Sequence, residues 1–356
     1  MKSKVLLLQL VIPTYRVPIF NQLGQIVDLT VTYISKDDSP ENVSYKREHI
    51  VERHFGPLRF HKIRSLCAKF DVVIYMPNIH CISMCLVPFL PHKYKTISYS
   101  IGLRASYSTK FDIHRKKNLL DILFGIIQFK GDAVIMYFKE ALAFWRVNPK
   151  IMNKCFETRN TTAVLSSNIE ANNKDSILFV GSLYKGKKVE NLIYAYKKAY
   201  DNNDAADFPK LEILGGGELF DNLEKLIAKL GLEHKVFMRG AIYDEGMLKT
   251  YFITSYACIS PNQAGLSVPK SMGYGVPFIT LKDAITGGEI LHIKNKYNGL
   301  LMDSLDELPL VIEDIYHNPD KYILMGKNAK KYYDENASID LMVKGFSDAI
   351  SFALNN

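Results

Sequence analysis

The 356 residues exceed the size at which one hydrophobic core stops growing, so two domains are expected. A hydrophobic content of 47% with 23% charged residues excludes a disordered or fibrous chain, and the longest apolar runs fall far short of the roughly 20 residues that span a bilayer. The net charge of +8 is unevenly divided: residues 1–165 hold 24 Lys and Arg against 12 Asp and Glu, leaving 21 against 25 for the rest.

In chain order, "KVLLLQLVI" (4–12) reads as a buried first strand bounded by Pro13. It imitates a secretion signal, but the run is short and no small-residue cleavage site follows. "PIFNQLGQI" (18–26) has helical spacing, with Pro18 suited to a first turn. "LTVTYIS" (29–35), "DVVIYM" (71–76), "KTISYS" (95–100) and "DAVIMY" (132–137) are strand-like runs separated by polar or helical sequence. This is the rhythm of a parallel sheet covered on both faces. The polar, aperiodic "SSNIEANNKDS" (166–176) reads as a linker. The rhythm then restarts with strands at 177–181, 211–215, 235–240, 256–260 and 277–280. Helices fall at about 188–202, 219–231, 245–254 and 268–275, and residues 319–354 are helical. The expected fold class is α/β, two doubly wound Rossmann-like domains facing a cleft. Their bounds are 1–165 and 177–335, with a C-terminal helix over 336–356 that can pack back on the first domain.

Cys67, Cys81, Cys85, Cys155 and Cys258 form no CxxC pair and are odd in number. A reducing cytoplasm is therefore expected, without a disulfide or metal framework.

Three stretches carry chemistry. In "ILFVGSLYKGKKVENL" (177–192) a strand ends at Gly181 and a helix begins near Lys188. Backbone N–H groups and the lysines 185, 187 and 188 there favour an anion, or form an exposed basic loop. In "LEILGGGELF" (211–220) three glycines permit close backbone approach, though the pattern is neither GxGxxG nor a Walker loop. In "ISPNQAGLSVPKSMGYGVPFIT" (259–280) a loop precedes a helix that Ser267 can cap and Gly275 ends. Glu289, in "TGGE" (286–289), can face the same cleft.

Together with "VFMRG" (236–240) and "NGLL" (298–301), these pieces resemble, in order and spacing, the C-terminal domain of family-4 glycosyltransferases over about residues 177–302. The resemblance implies a GT-B fold and a nucleoside-diphosphate-sugar donor held mainly by the second domain. By its motifs, Lys187 matches the lysine on the donor diphosphate. Gly181 and Ser182 close the same strand, with Ser182 where the family has an arginine, and Lys185 beside them can compensate. Gly216 and Gly217 match the glycine turn near the diphosphate and sugar. Gly240, Ala241 and Ile242 match the nucleobase segment, and Ala264, Gly265 and Leu266 the loop whose N–H groups meet the sugar or β-phosphate.

The family's two glutamates fall on Asn262, with Gln263 beside it, and on Lys270. In the family the first engages sugar hydroxyls and the second the ribose. Neither is a nucleophile in the retaining, front-face reaction, so their replacement weakens residue roles more than reaction class. An amide at 262 or 263 can still orient sugar hydroxyls, and Lys270 can favour the leaving group if it points inward.

"PTYRVPIFNQL" (13–23) resembles an opening seen in some bacterial polysaccharide glycosyltransferases, which makes Arg16 a phosphate-contact candidate. "SYSIGLRASYSTKFD" (98–112) puts Tyr99 and Ser100, then Gly102 and Arg104, where many relatives have a cleft histidine; these are acceptor-binding candidates. A cluster at His114, Arg115, Lys116 and Lys117 leads into "NLLDILFGIIQF" (118–129), either a core helix with a solvated start or a helix resting on an anionic membrane.

The expected activity is transfer of a sugar, with retention and without a metal or other cofactor, to a glycan or polyprenyl-diphosphate-linked acceptor. Its expected place is the cytoplasm, at the inner face of the membrane, in surface-polysaccharide synthesis. An epimerase-like enzyme of the same fold and a silent nucleotide-sugar-binding subunit stay open as alternatives. No nucleic-acid recognition motif is present.

Overall fold

Short β-branched and aliphatic runs bury both faces of two parallel sheets. A computed structural model of the chain describes residues 2–105, 111–165, 174–203 and 205–356. The chain divides into two units, Met1–Ala163 with Ile339–Asn356, and Val164–Ser338.

The first unit holds β1 (Lys4–Leu7), β2 (Asp28–Tyr33), β3 (Lys46–His49), β4 (Val72–Tyr75), β5 (Lys95–Ser100), β6 (Ala133–Met136) and β7 (Cys155–Glu157). All pair in parallel, in the order β3-β2-β1-β4-β5-β6-β7. The order reverses between β1 and β4, the switch point where such sheets leave a crevice at their carboxyl ends. Helix α1 (Val17–Ile26) covers one face with Phe20 and Leu23 against Val5, Leu7 and Ile97. Helix α2 (Leu119–Lys130) begins with a reciprocal capping box between Asn118 and Asp121 and brings Ile127 to the opposite face.

The second unit holds β8 (Ser176–Val180), β9 (Lys210–Leu214), β10 (Val236–Gly240), β11 (Ser255–Ile259), β12 (Phe278–Leu281) and β13 (Gly299–Met302). They are parallel in the order β10-β9-β8-β11-β12-β13, the same winding, with its switch point between β8 and β11. Helices α3 (Val189–Asn203), α4 (Phe220–Lys229), α5 (Glu245–Ile253), α6 (Ser267–Gly273), α7 (Leu308–His317) and α8 (Pro319–Asn336) complete it. The final helix, α9 (Ile339–Asn355), belongs to the first unit, where Met342, Phe346 and Ile350 join the face covered by α1. Phe346 is fully buried, its ring centroid 4.9 Å from that of Tyr99. Its truncation to alanine is worth about 3–5 kcal/mol.

The expected first strand, 4–12, is interrupted: β1 ends at Leu7, and Val11–Ile12 pairs separately with Lys36–Asp37. Strand β3 and an antiparallel pair, Glu52–Phe55 with Leu58–His61, arise where no strand was expected. Of the expected linker, 166–173 lie outside the described residues, and Ser176 already begins β8. Within 98–112, residues 106–110 also lie outside them. All five cysteines are buried thiols. Among the described residues no helix is long and apolar enough to cross a membrane.

Candidate functional site

In the second unit the site is assembled at the β8/β11 switch point. Strand β8 runs into Gly181, and a single turn of 3-10 helix, Lys185–Lys187, leads through Lys188 in the left-handed region (φ 55°) into α3. This turn folds the Lys187 side chain back over the strand end. A Cβ on Gly181 would lie 2.9 Å from Lys187 Nζ, so the ammonium rests on a position that only glycine leaves open. Lys187 is 7% exposed, and among the described residues no carboxylate pairs with it. Burial pulls its pKa down to about 8, weakly opposed by the Cys258 thiol. Ser182 and Lys185 are exposed at the rim.

The glycine-rich turn is fitted onto this strand end. A Cβ on Gly215 would fall 1.9 Å from the Gly181 carbonyl, and one on Gly217 (φ 149°) 2.4 Å from that of Leu183. Gly181 N–H donates to Leu214, and Leu183 N–H to the Gly216 carbonyl, at 2.9 Å each. The turn therefore sits against the lysine loop because it carries no side chains there.

Asn262 and Gln263 secure the lysine turn from the facing loop. The Asn262 amide donates to the Gly186 carbonyl at 3.0 Å, and Tyr184 Oη donates to Gln263 Oε1 at 2.7 Å. Gln263 and Ala264 also pair in parallel with Ile285 and Thr286. An ionised glutamate at 262 has no donor for the Gly186 carbonyl, whereas an amide does. Gly265 and Gly240 have open space where a Cβ would stand, and Gly216 meets only Ala241, 3.5 Å away. Ala241 is exposed and Ile242 half-buried beyond β10.

Two of the expected residues, Lys270 and Glu289, are held by partners of their own, and the reading of Ser267 is corrected. Lys270 does not bring an uncompensated charge: its Nζ lies 2.7 Å from both carboxylate oxygens of Glu245, which also accepts from Tyr274 Oη. Burial lowers the Lys270 pKa and Glu245 opposes that shift. Ser267 is the first helical residue of α6, not its cap, and makes no capping hydrogen bond. Gly275 (φ 69°) lies just past that helix, where the N–H groups of Gly275 and Val276 return to the carbonyls of Met272 and Ser271 as a Schellman closure. Glu289 is buried and its carboxylate accepts from its own loop, Gly287 N–H at 2.8 Å and Thr286 Oγ1 at 3.1 Å.

The first unit has a cavity of about 630 Å³ at the carboxyl ends of β1, β4 and β5, again at a switch point. Arg16, Tyr99, Ser100 and Arg104 line it, with Tyr15 and Asn78 among the others. Arg16 is buried, donates to Tyr137 Oη at 3.1 Å and Asn160 Oδ1 at 2.5 Å, and lies over the rings of Tyr15 and Tyr137. Tyr99 is buried, which raises its pKa well above the usual value, with Arg16 opposing. Ser100 Oγ donates to Gln128. Arg104 is 3.5 Å from Asp121, which Arg115 also forks at 2.6 and 2.7 Å. Gly102 does not line the cavity. Its left-handed backbone (φ 102°) lets Ala141 approach, and its carbonyl accepts from Gln128 and Trp145.

Sequence reasoning missed Tyr184, Glu245 and Tyr274 in one unit, and Tyr15, Asn78 and Asn160 in the other. Only Asn78 carried a signal, since "MPNIH" follows the strand at the switch point.

Residues 163–332 match the family described as glycosyl transferases group 1. An uncharacterized glycosyltransferase of Methanocaldococcus jannaschii is 32% identical over 126 residues, 35% of this chain and 30% of that protein. A second one from the same organism is 27% identical over 195 residues, 51% of this chain and 46% of that protein. The chain thus spans less than half the length of these curated relatives. In fold it is similar to a glycosyltransferase from Rickettsia africae, with a TM-score of 0.71 at 14% identity over 100% of this chain and 99% of that one. It is also similar to Anabaena HepE, in a structure with UDP and glucose, with a TM-score of 0.68 at 14% identity over 98% and 99%.

Proposed function

We propose that this chain, whose residues 163–332 match the glycosyl transferases group 1 family and whose two Rossmann-like units have the GT-B fold, transfers a sugar from a nucleoside diphosphate to a glycan or lipid-linked acceptor. The observation that carries the proposal is the buried Lys187 ammonium, held against a side-chain-free glycine turn with no carboxylate to neutralise it among the described residues. Burying such a charge is costly, and an anionic ligand would offset the cost. A diphosphate, already bound by HepE as UDP, is the group that suits it.

The anomeric carbon–oxygen bond to the β-phosphate breaks as the acceptor hydroxyl forms the new glycosidic bond. The hydroxyl proton leaves with the nucleoside diphosphate, so no carboxylate base is needed, and direct attack by the acceptor needs no carboxylate nucleophile. Lys187 and the backbone N–H groups of 216–217 and 265–266 meet the charge that develops on the leaving group, without a divalent ion. Attack from the departing face retains configuration. Asn262 and Gln263 keep the lysine turn in place. Glu245, gripped by Lys270 and Tyr274, offers the ribose a carboxylate where the residue at 270 does not. We assign the first-unit cavity to the acceptor, and by resemblance place the reaction in surface-polysaccharide assembly at the cytoplasmic face of a membrane.

Thermal-shift screening with UDP-, GDP- and dTDP-sugars tests this. One of them should stabilise the chain and, with an extracted acceptor pool, add one sugar mass in the presence of EDTA. Stabilisation by none of them refutes the proposal, and acceptor-free conversion of the donor replaces it with an epimerase.

A further inference from the structure

Helix α2 is apolar on its outward side as well as on the side that buries Phe124 and Ile127. Its inward face includes the fully buried Asp121 and Gln128, which satisfy Arg115, Ser100 and the Gly102 carbonyl. Its outward face carries Leu119, Leu120, Ile122, Leu123 and Ile126, from 44% to 79% exposed. These five recur at helical spacing as one aliphatic stripe, and Lys130 is the other exposed residue of the helix. Single exposed leucines need no explanation, but a contiguous stripe marks an interaction surface.

We infer that this stripe is a docking surface for an anionic phospholipid bilayer. The helix is 12 residues, about 18 Å long, too short to span hydrocarbon but suited to lying in the headgroup plane. Cations flank the stripe at both ends: exposed Lys116 and Lys117 before it, Lys130 after it. Arg115 is neutralised by Asp121, and Asp112 is the one other acidic residue described between 111 and 130. Lys117 is steadied by the Trp145 carbonyl and the Phe144 ring, neither of which cancels its charge. The excess of lysine argues against a second copy as the occupant. Antiparallel pairing of two such helices would set Lys130 against Lys116 and Lys117, whereas lipid phosphates attract all three. The inference deepens the acceptor side of the proposed function and rests on that proposal only for its purpose, bringing the enzyme to a lipid-linked acceptor.

Vesicle flotation of the full chain tests it. Binding is expected to vesicles of phosphatidylcholine mixed with phosphatidylglycerol, and to be much weaker with phosphatidylcholine alone. The double substitution Leu123→Glu/Ile126→Glu should abolish binding while the thermal midpoint and any nucleotide-induced shift stay unchanged, because both side chains are exposed. Lys116→Gln/Lys130→Gln should weaken it roughly tenfold or more. No binding by the native chain, or unaltered binding by the glutamate variant, overturns the inference. So does a native dimer that the glutamate variant converts to monomer, since the stripe would then be a self-association face. The nucleotide-induced shift is read in the same samples, so failure of membrane docking is distinguishable from failure of donor binding.

Discussion

The Asn262 side-chain amide donates to the Gly186 carbonyl at 3.0 Å, tying the loop after β11 to the turn that buries Lys187. An amide rather than a carboxylate at 262 therefore has a structural reason. Asn262→Glu should remove the donor and set a charge beside a carbonyl, costing about 1–3 kcal/mol. Denaturant unfolding should show that loss and a donor affinity reduced by tenfold or more. Gain of activity on restoring the glutamate would refute this account of the loop.

The buried ammonium itself should destabilise the ligand-free protein. The Lys187 pKa is about 8 in the folded state against the ordinary 10.5, so folding expels a proton between those values. The unfolded chain binds more protons in that window, and stability contributed at this site rises with pH. The penalty is fully present below pH 8, shrinks between 8 and 10.5, and is gone above it. Lys187→Met should thus be more stable than the native chain by up to about 3 kcal/mol at pH 7. That advantage should fade by pH 10.5 in denaturant titrations. A methionine variant less stable at pH 7 would contradict it.

Donor affinity should follow the same proton. Above pH 8 free Lys187 is neutral, so binding a diphosphate then requires proton uptake. Affinity should fall by about tenfold per pH unit beyond that point, until the raised pKa of the complex is passed. Calorimetry in buffers of different ionisation enthalpy would detect the proton taken up at pH 9.

Glu245 and Lys270 form a coupled pair, 2.7 Å apart and mostly sheltered. Glu245→Gln should leave the ammonium under-neutralised, costing about 1–3 kcal/mol, and should weaken nucleotide binding. Lys270→Glu, which places two carboxylates together, should be worse than Glu245→Gln. The exchange Lys270→Glu/Glu245→Lys should recover part of both losses. A double variant no better than the singles would show that the pair acts only through local packing.

Much of the fold was legible because buried parallel strands announce themselves as apolar runs, and most fall within a residue or two of their expected bounds. Strand β3 was not, because its sequence "KREH" is exposed along its length and is held by backbone pairing with β2. The run 4–12 misled because Val11–Ile12, although apolar, pairs outside the main sheet. At the site, Lys187 and the glycines were visible, since their chemistry is local: a strand end, a tight turn, a cation. The Glu245–Lys270 and Tyr184–Gln263 contacts join positions 25 and 79 residues apart, which spacing alone does not connect. Gly102 was a candidate by its position after the strand, whereas its role is packing, a left-handed backbone that lets Ala141 approach.

The most direct test titrates UDP, GDP and dTDP into the native chain and into Lys187→Met by calorimetry. One nucleotide should bind the native chain, and its affinity should fall by roughly 30-fold or more in the variant, the loss of one charge-assisted contact in a buried site. Binding of that nucleotide with equal affinity by both proteins, or by neither, would contradict a donor site built around Lys187.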